Sequence, residues 1–179
     1  MAKQRRLHIG GKRAHPDWEI INAVAGPNVD HLGNAGDLSR FDDDTFFELY
    51  ASHVLEHFDY AKELGEALKE WHRVLRPGGR LYISVPDLDV LARLFLEKDR
   101  LDISQRILVM RMMFGGQVDE YDYHKVGLNF EILGHFLHQA GYTGIRRVEE
   151  FGIFDDTSSY RPFGELISLN VYADKQRQA

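Results

Sequence analysis

The 179-residue chain is long enough for one sizeable hydrophobic core and short for two, so a single domain over residues 1–179 is expected. With 44% hydrophobic and 28% charged residues it has the composition of an ordinary globular protein, and no run approaches the roughly 20 apolar residues that a membrane-crossing helix requires. The absence of cysteine excludes disulfides, thiolate metal sites and a cysteine nucleophile, and a net charge of −6 argues against a nucleic-acid backbone as the main partner.

The chain opens on a basic stretch, Met1 to Arg6. Leu7-His8-Ile9-Gly10-Gly11 then breaks off where an export signal would continue with a long apolar segment, so a cytoplasmic location is expected. Lys3, Arg5, Arg6, Lys12 and Arg13 read as a solvated basic cluster. Residues 6–10 and 19–24 read as short strands, with a third around 29–32 and little room for helices between them. Residues 46–52 form another strand. From Asp59, an N-cap residue, apolar side chains recur at Ala61, Leu64, Leu68, Trp71 and Leu75, steps of three and four that line one helix face. Pro77-Gly78-Gly79 ends that helix and launches a β-rich run over 80–85, followed by Pro86-Asp87 and an amphipathic stretch over 88–95. This alternation of strand and helix predicts a parallel sheet. Residues 114–127 read as an ordered loop. Asn129 then caps a helix carrying Leu133, Phe136, Leu137 and Ala140, with Gly141 closing it. Residues 145–151 and 165–173, joined without a helix, predict an antiparallel hairpin at the sheet edge.

His53-Val54-Leu55-Glu56-His57 follows the 46–52 strand and supplies proton-handling side chains at its end; Asp87 and His124 are further candidates. An intrinsic pKa of about 6.5 suits histidine to this work near neutrality. The same five residues fit H-x-x-E-H, the inverted zinc-protease motif. That site needs both histidines on one helical face and a third ligand later in the chain. Here a strand runs into the motif, so a zinc metalloprotease ranks behind the readings below and no metal is expected.

The run from Leu49 to His57, the run from Leu68 to Leu81 containing Arg76-Pro77-Gly78-Gly79, and Ser84-Val85-Pro86-Asp87 resemble the middle of the class I S-adenosylmethionine (SAM)-dependent methyltransferases. The resemblance is greatest to the compact type 11 family. Phe114-Gly115-Gly116-Gln117, Tyr123-His124-Lys125 and Ser168-Leu169-Asn170-Val171 extend it towards the C-terminus. It implies an open, Rossmann-like α/β fold of seven mostly parallel strands with one antiparallel edge strand and helices on both faces. It also implies SAM as cofactor across the carboxyl ends of the first strands, where the loops open a crevice. The matching positions put Gly10, Gly11, Asn22, Asp37, Leu38, Ser52 and His53 at the cofactor, with Asn22 where the family has an acidic ribose ligand and Asp37 beside the adenine. The first glycine-rich loop is shortened to Gly10-Gly11, with seven residues before Glu19.

The methyl group on a sulfonium is already activated, so transfer needs positioning and, for a hydroxyl acceptor, a base. His57 and His124 are the expected catalytic residues, with 114–127 covering the acceptor as a lid. The expected function is methyl transfer from SAM to a hydroxyl of a small molecule or glycan precursor, with no nucleic-acid or membrane partner. The shortened loop keeps a second reading open: a protein of this fold that binds SAM or S-adenosylhomocysteine without catalysis, or serves a partner. Nothing in the sequence sets the oligomeric state.

Overall fold

A computed structural model describes residues 4–177. Seven strands form one sheet: β1 (Arg6–Ile9), β2 (Glu19–Asn22), β3 (His31–Leu32), β4 (Phe46–Ser52), β5 (Leu75–Pro86), β6 (Thr143–Val148) and β7 (Ser168–Asp174). Their order is β3-β2-β1-β4-β5-β7-β6. The strands from β3 to β5 pair in parallel, while β7 runs antiparallel to both β5 and β6. The expected mostly parallel, Rossmann-like sheet is therefore present. The reversed strand belongs to the edge pair and lies one place inside β6.

Four helices accompany the sheet: α1 (Glu63–Val74), α2 (Leu88–Leu96), α3 (Ile103–Phe114) and α4 (Phe130–Gln139). Alternation along the strands sends Leu49, Ala51, Leu81, Ile83, Leu169 and Val171 to one face, where they pack with Leu64, Leu68 and Trp71 of α1 and Leu133 and Leu137 of α4. On the second face Tyr50 and Tyr82 pack with Trp18, Phe151, Ile153 and Phe154. The β1–β2 and β2–β3 connections contain no helix, so irregular chain closes that side. The α2 and α3 helices pack on each other through Leu91, Leu94 and Val109, against Ile167.

Helix α1 begins at Glu63, after a turn in which the Asp59 carboxylate accepts from the Lys62 amide and the Glu63 carboxylate accepts from the Asp59 amide. Leu75 is both the C-cap of α1, its amide donating to the Trp71 carbonyl, and the first residue of β5, and the Pro77-Gly78-Gly79 turn lies within that strand's span. A Cβ on Gly79 would meet the Phe47 carbonyl oxygen at 2.7 Å, so glycine is required there. Asn129 caps α4 as expected, accepting from the Ile132 amide. The loop leading into β4 is held from α1: Trp71 Nε1 donates to the Ala35 carbonyl at 2.7 Å, and the Arg73 guanidinium donates to the carbonyls of Leu38 and Phe41. Within the basic cluster, Lys3 lies outside the described residues, Arg5 pairs with Glu19, Arg6 with Glu48 and Arg13 with Asp155. Among the described residues no helix is long and apolar enough to cross a membrane.

Candidate functional site

Strands β1 and β4 are neighbours, and the chain turns sharply after each. Gly10 has φ +75°, and His53 has φ 54°, a left-handed conformation that non-glycine residues seldom adopt. Beyond these turns lies a cavity of about 330 Å³ lined by His8, Gly10, Gly11, Ser52 and His53, with Lys12, Arg13 and the 154–157 segment. Four of the seven expected cofactor residues, Gly10, Gly11, Ser52 and His53, are thus brought together. A larger cavity of about 460 Å³ around Arg5, Trp18, Glu19 and Asp30 contains none of the expected site residues.

Asn22, Asp37 and Leu38 do not line the cavity. The Asn22 amide donates to the Gly10 and Gly11 carbonyls, and its oxygen accepts from the Val24 amide, so it shapes the shortened loop from behind. Asp37 is exposed, its carboxyl held below the usual range by hydrogen bonds from Ser39. Leu38 is fully buried in the main core. The glycines serve the chain's own packing: a Cβ on Gly10 would meet Val54 Cγ2 at 2.5 Å, and one on Gly11 would meet the His8 ring at 2.6 Å. Two lining residues carry buried polar atoms with no partner, His8 Nδ1 and Ser52 Oγ. Burial pushes His8 down to about 4, so its ring is neutral at physiological pH.

His53 also faces a second group of side chains. Its Nδ1 lies 3.3 Å from Glu56 Oε1, and its Nε2 is 2.9 Å from Ser168 Oγ. Glu56 sits in a single 3-10 turn, Leu55–His57, and is 1% exposed, yet neither carboxylate oxygen receives a hydrogen bond of normal geometry. His57 and His124 stand edge to face with ring centroids 5.0 Å apart, and His124 Nε2 is 3.9 Å from Glu56 Oε1. The His57 Nδ1 donates to the Tyr123 carbonyl at 3.1 Å. The amides of Lys125 and Val126 both donate to the Glu56 carbonyl, which ties the 114–127 segment over the turn. One ligating atom from each of Glu56, His57 and His124 lies within 4.8 Å of the others.

Burial drives the Glu56 pKa upward, but the facing His53, His57 and His124 outweigh it and hold the carboxyl below its ordinary value. Burial also lowers His124, against the pull of Glu56. Both expected catalytic histidines therefore lie in one cluster. Glu56, one of several proton handlers in the sequence, stands at its centre, and its place inside H-x-x-E-H was the signal for it. The zinc-protease arrangement does not form, because the motif spans a strand end and a 3-10 turn, and the grouped ligands are Glu56, His57 and His124. Asp87 stands apart from this cluster, where it caps α2 through the Asp89 amide and pairs with Arg147 at 2.7 Å.

Residues 19–83 match the model of a family described as a methyltransferase domain. The chain is 31% identical over 99 residues to the demethylmenaquinone methyltransferase of Chlorobaculum tepidum, covering 54% of this chain and 40% of that protein. It is 26% identical over 165 residues to the demethylmenaquinone methyltransferase of Chlorobaculum parvum, covering 88% of this chain and 64% of that protein. The chain thus spans less than two thirds of the length of either curated relative. Among solved structures it is similar to the 1,6-didemethyltoxoflavin-N1-methyltransferase of Burkholderia thailandensis, crystallised with 1,6-didemethyltoxoflavin and S-adenosylhomocysteine, with 17% identity, 96% of this chain and 71% of that chain covered, and a TM-score of 0.60. The YcgJ protein of Bacillus subtilis gives 16% identity, 99% and 94% coverage, and a TM-score of 0.57. At these identities the likeness to the solved structures is one of fold.

Proposed function

We propose, for a chain that belongs to the class I SAM-dependent methyltransferases of type 11, that it transfers a methyl group from SAM to a hydroxyl of a small molecule or glycan precursor. The observation that carries this reading is His53. It lines the cavity at the ends of β1 and β4 and reaches Glu56 at the centre of the histidine cluster, so a donor pocket and a proton-accepting group share one wall residue. The cavity of about 330 Å³ falls at the lower end of the roughly 300–1,000 Å³ of small-ligand sites. Its composition suits SAM: Lys12 supplies positive charge for a carboxylate, and Ser52 Oγ and His8 Nδ1 are buried polar atoms in want of partners.

SAM supplies an activated methyl group; the chain must align the acceptor and receive its proton. His124, lowered by burial, is neutral near pH 7 and can accept a proton, and the buried Glu56 carboxylate favours the imidazolium that results. The relatives named for demethylmenaquinone support a small-molecule acceptor. The test is calorimetric titration with S-adenosylhomocysteine followed by transfer of labelled methyl to pools of small hydroxyl compounds. Binding with transfer is expected. Absence of heat at millimolar cofactor sinks the reading. Binding without transfer to any pool favours the second one, a non-catalytic SAM-fold protein, which the close packing behind Gly10 and Gly11 supports.

A further inference from the structure

We propose that Glu56, His57 and His124 form a binding site for one divalent first-row transition-metal ion. Glu56 is 1% exposed, and neither of its oxygens has a hydrogen-bond partner, a costly state for an isolated buried carboxylate. Its oxygen and one nitrogen from each of His57 and His124 already stand within 4.8 Å of one another, so shifts of about an ångström or less would bring them to the roughly 2 Å bonds of such an ion. Two imidazoles and one carboxylate are the protein donor set of catalytic zinc and of non-haem iron(II).

Proton bookkeeping around the cluster points the same way. A carbonyl only accepts, so the 3.1 Å contact to Tyr123 fixes the proton of neutral His57 on Nδ1 and leaves the lone pair on Nε2. Holding a histidine by a backbone carbonyl in this manner is the usual support for a ligating ring. On the other side, Ser168 Oγ gives its hydrogen to the Thr157 carbonyl at 2.9 Å, so the 2.9 Å contact with His53 must be donated by His53 Nε2. Neutral His53 then turns a bare Nδ1 towards Glu56 Oε1 at 3.3 Å, one acceptor facing another. A bound cation would relieve this opposition, and the two carboxylate oxygens without partners between ring nitrogens are where it would sit.

Binding of the ion stands on these contacts alone. Its part in catalysis rests on the proposed methyl transfer: with the ion bound, His124 would serve as a ligand and no longer as the proton acceptor, and the ion would instead lower the proton affinity of a hydroxyl or water bound to it.

The full chain, stripped with chelator, would be dialysed against Zn²⁺ and analysed for metal, and loaded with Co²⁺ for visible absorption. One equivalent per chain, the d–d bands of a low-coordinate cobalt and a Zn²⁺-dependent rise in Tm are expected. Glu56→Gln and His124→Ala should each weaken binding by at least about tenfold and abolish the rise, read against each variant's own metal-free Tm. Less than one equivalent on the wild type overturns the site. So does unchanged binding by the Glu56→Gln/His124→Ala double variant, which would place the ion at other histidines. S-adenosylhomocysteine calorimetry on the same samples keeps the two readings apart: metal without cofactor binding sinks the methyltransferase reading alone, and cofactor binding without metal sinks this one alone.

Discussion

Among single residues, His8 shows most directly how burial sets chemistry. It is 6% exposed, packed on Phe154 at 4.2 Å, and its pKa falls from 6.5 to about 4 because the charged ring would be desolvated. The unfolded chain takes up this proton first as pH falls. The stabilisation is therefore complete above about pH 6.5 and is lost progressively towards pH 4. Between pH 7.5 and 5 this one group should remove about 2 kcal/mol. His8→Phe keeps a ring in place and deletes the unpaired Nδ1, so urea unfolding of the variant should lose less stability over that range; equal slopes for both proteins would contradict the assignment. His124 and His57 differ in what they touch. His124→Ala should lower turnover by about 10²–10⁴-fold with little change in S-adenosylhomocysteine affinity, since it accepts a proton and does not line the donor cavity. A wild-type rate on the true acceptor would refute its role. His57→Ala removes the bond to the Tyr123 carbonyl that anchors the 114–127 segment, so turnover and acceptor KM should change together.

Whole elements were legible in the sequence where pattern and punctuation agreed. The strand over 80–85 announced itself by β-branched and aromatic residues between turn residues, and α4 by Asn129 at one end and Gly141, at φ +96°, beyond the other. Helix α3 was not legible, because Ile103, Ile107, Leu108, Val109, Met110 and Met112 leave no polar stripe and hence no period of 3.6. Its signal was local: Asp102 and Gln105 cap each other's backbone reciprocally. For the site, the cluster of motif residues at the end of β4 was readable, but the descent of His124 onto Glu56 depended on the path of the 114–127 segment. Asp37 and Leu38 lie off this cavity because Arg73 and Trp71 draw that loop onto α1. The segment over Glu56 hinges on Gly115, at φ +83°, where a Cβ would meet the Asp122 carbonyl oxygen at 2.0 Å. Gly115→Ala should displace this loop and detach His124 from Glu56, cutting turnover while the main core, and so the far-UV spectrum, is retained. A variant with normal activity would show that the segment does not carry the acceptor side of the site.

Across the molecule, the two faces of the sheet are stabilised by different physics, and only one of them should be coupled to ligand binding. On the helical face, Trp71 is fully buried and makes a single polar contact; Trp71→Ala should cost about 3–5 kcal/mol through the cavity it leaves. The other face is closed by the 149–159 segment, hung on the sheet by polar contacts. Asn170 on β7 donates to the carbonyls of Glu149 at 2.7 Å and Ser158 at 2.9 Å, Ser168 donates to Thr157, and the Tyr50 hydroxyl donates to Asp156 at 2.9 Å. Residues 154–157 of that segment form one wall of the cavity beside Gly10 and His53. Asn170→Ala would orphan two backbone carbonyls, at about 1–3 kcal/mol each, a cost of the same order as that of the tryptophan variant. Its effect on ligand should be the greater, because the wall loses its suspension while the helical face is untouched. Calorimetry with S-adenosylhomocysteine should therefore find affinity reduced in Asn170→Ala and close to wild type in Trp71→Ala at a temperature where both are folded. The opposite order would mean that the ligand is held from the helical side of the sheet, and that the cavity between β1, β4 and the 154–157 wall is not where it binds.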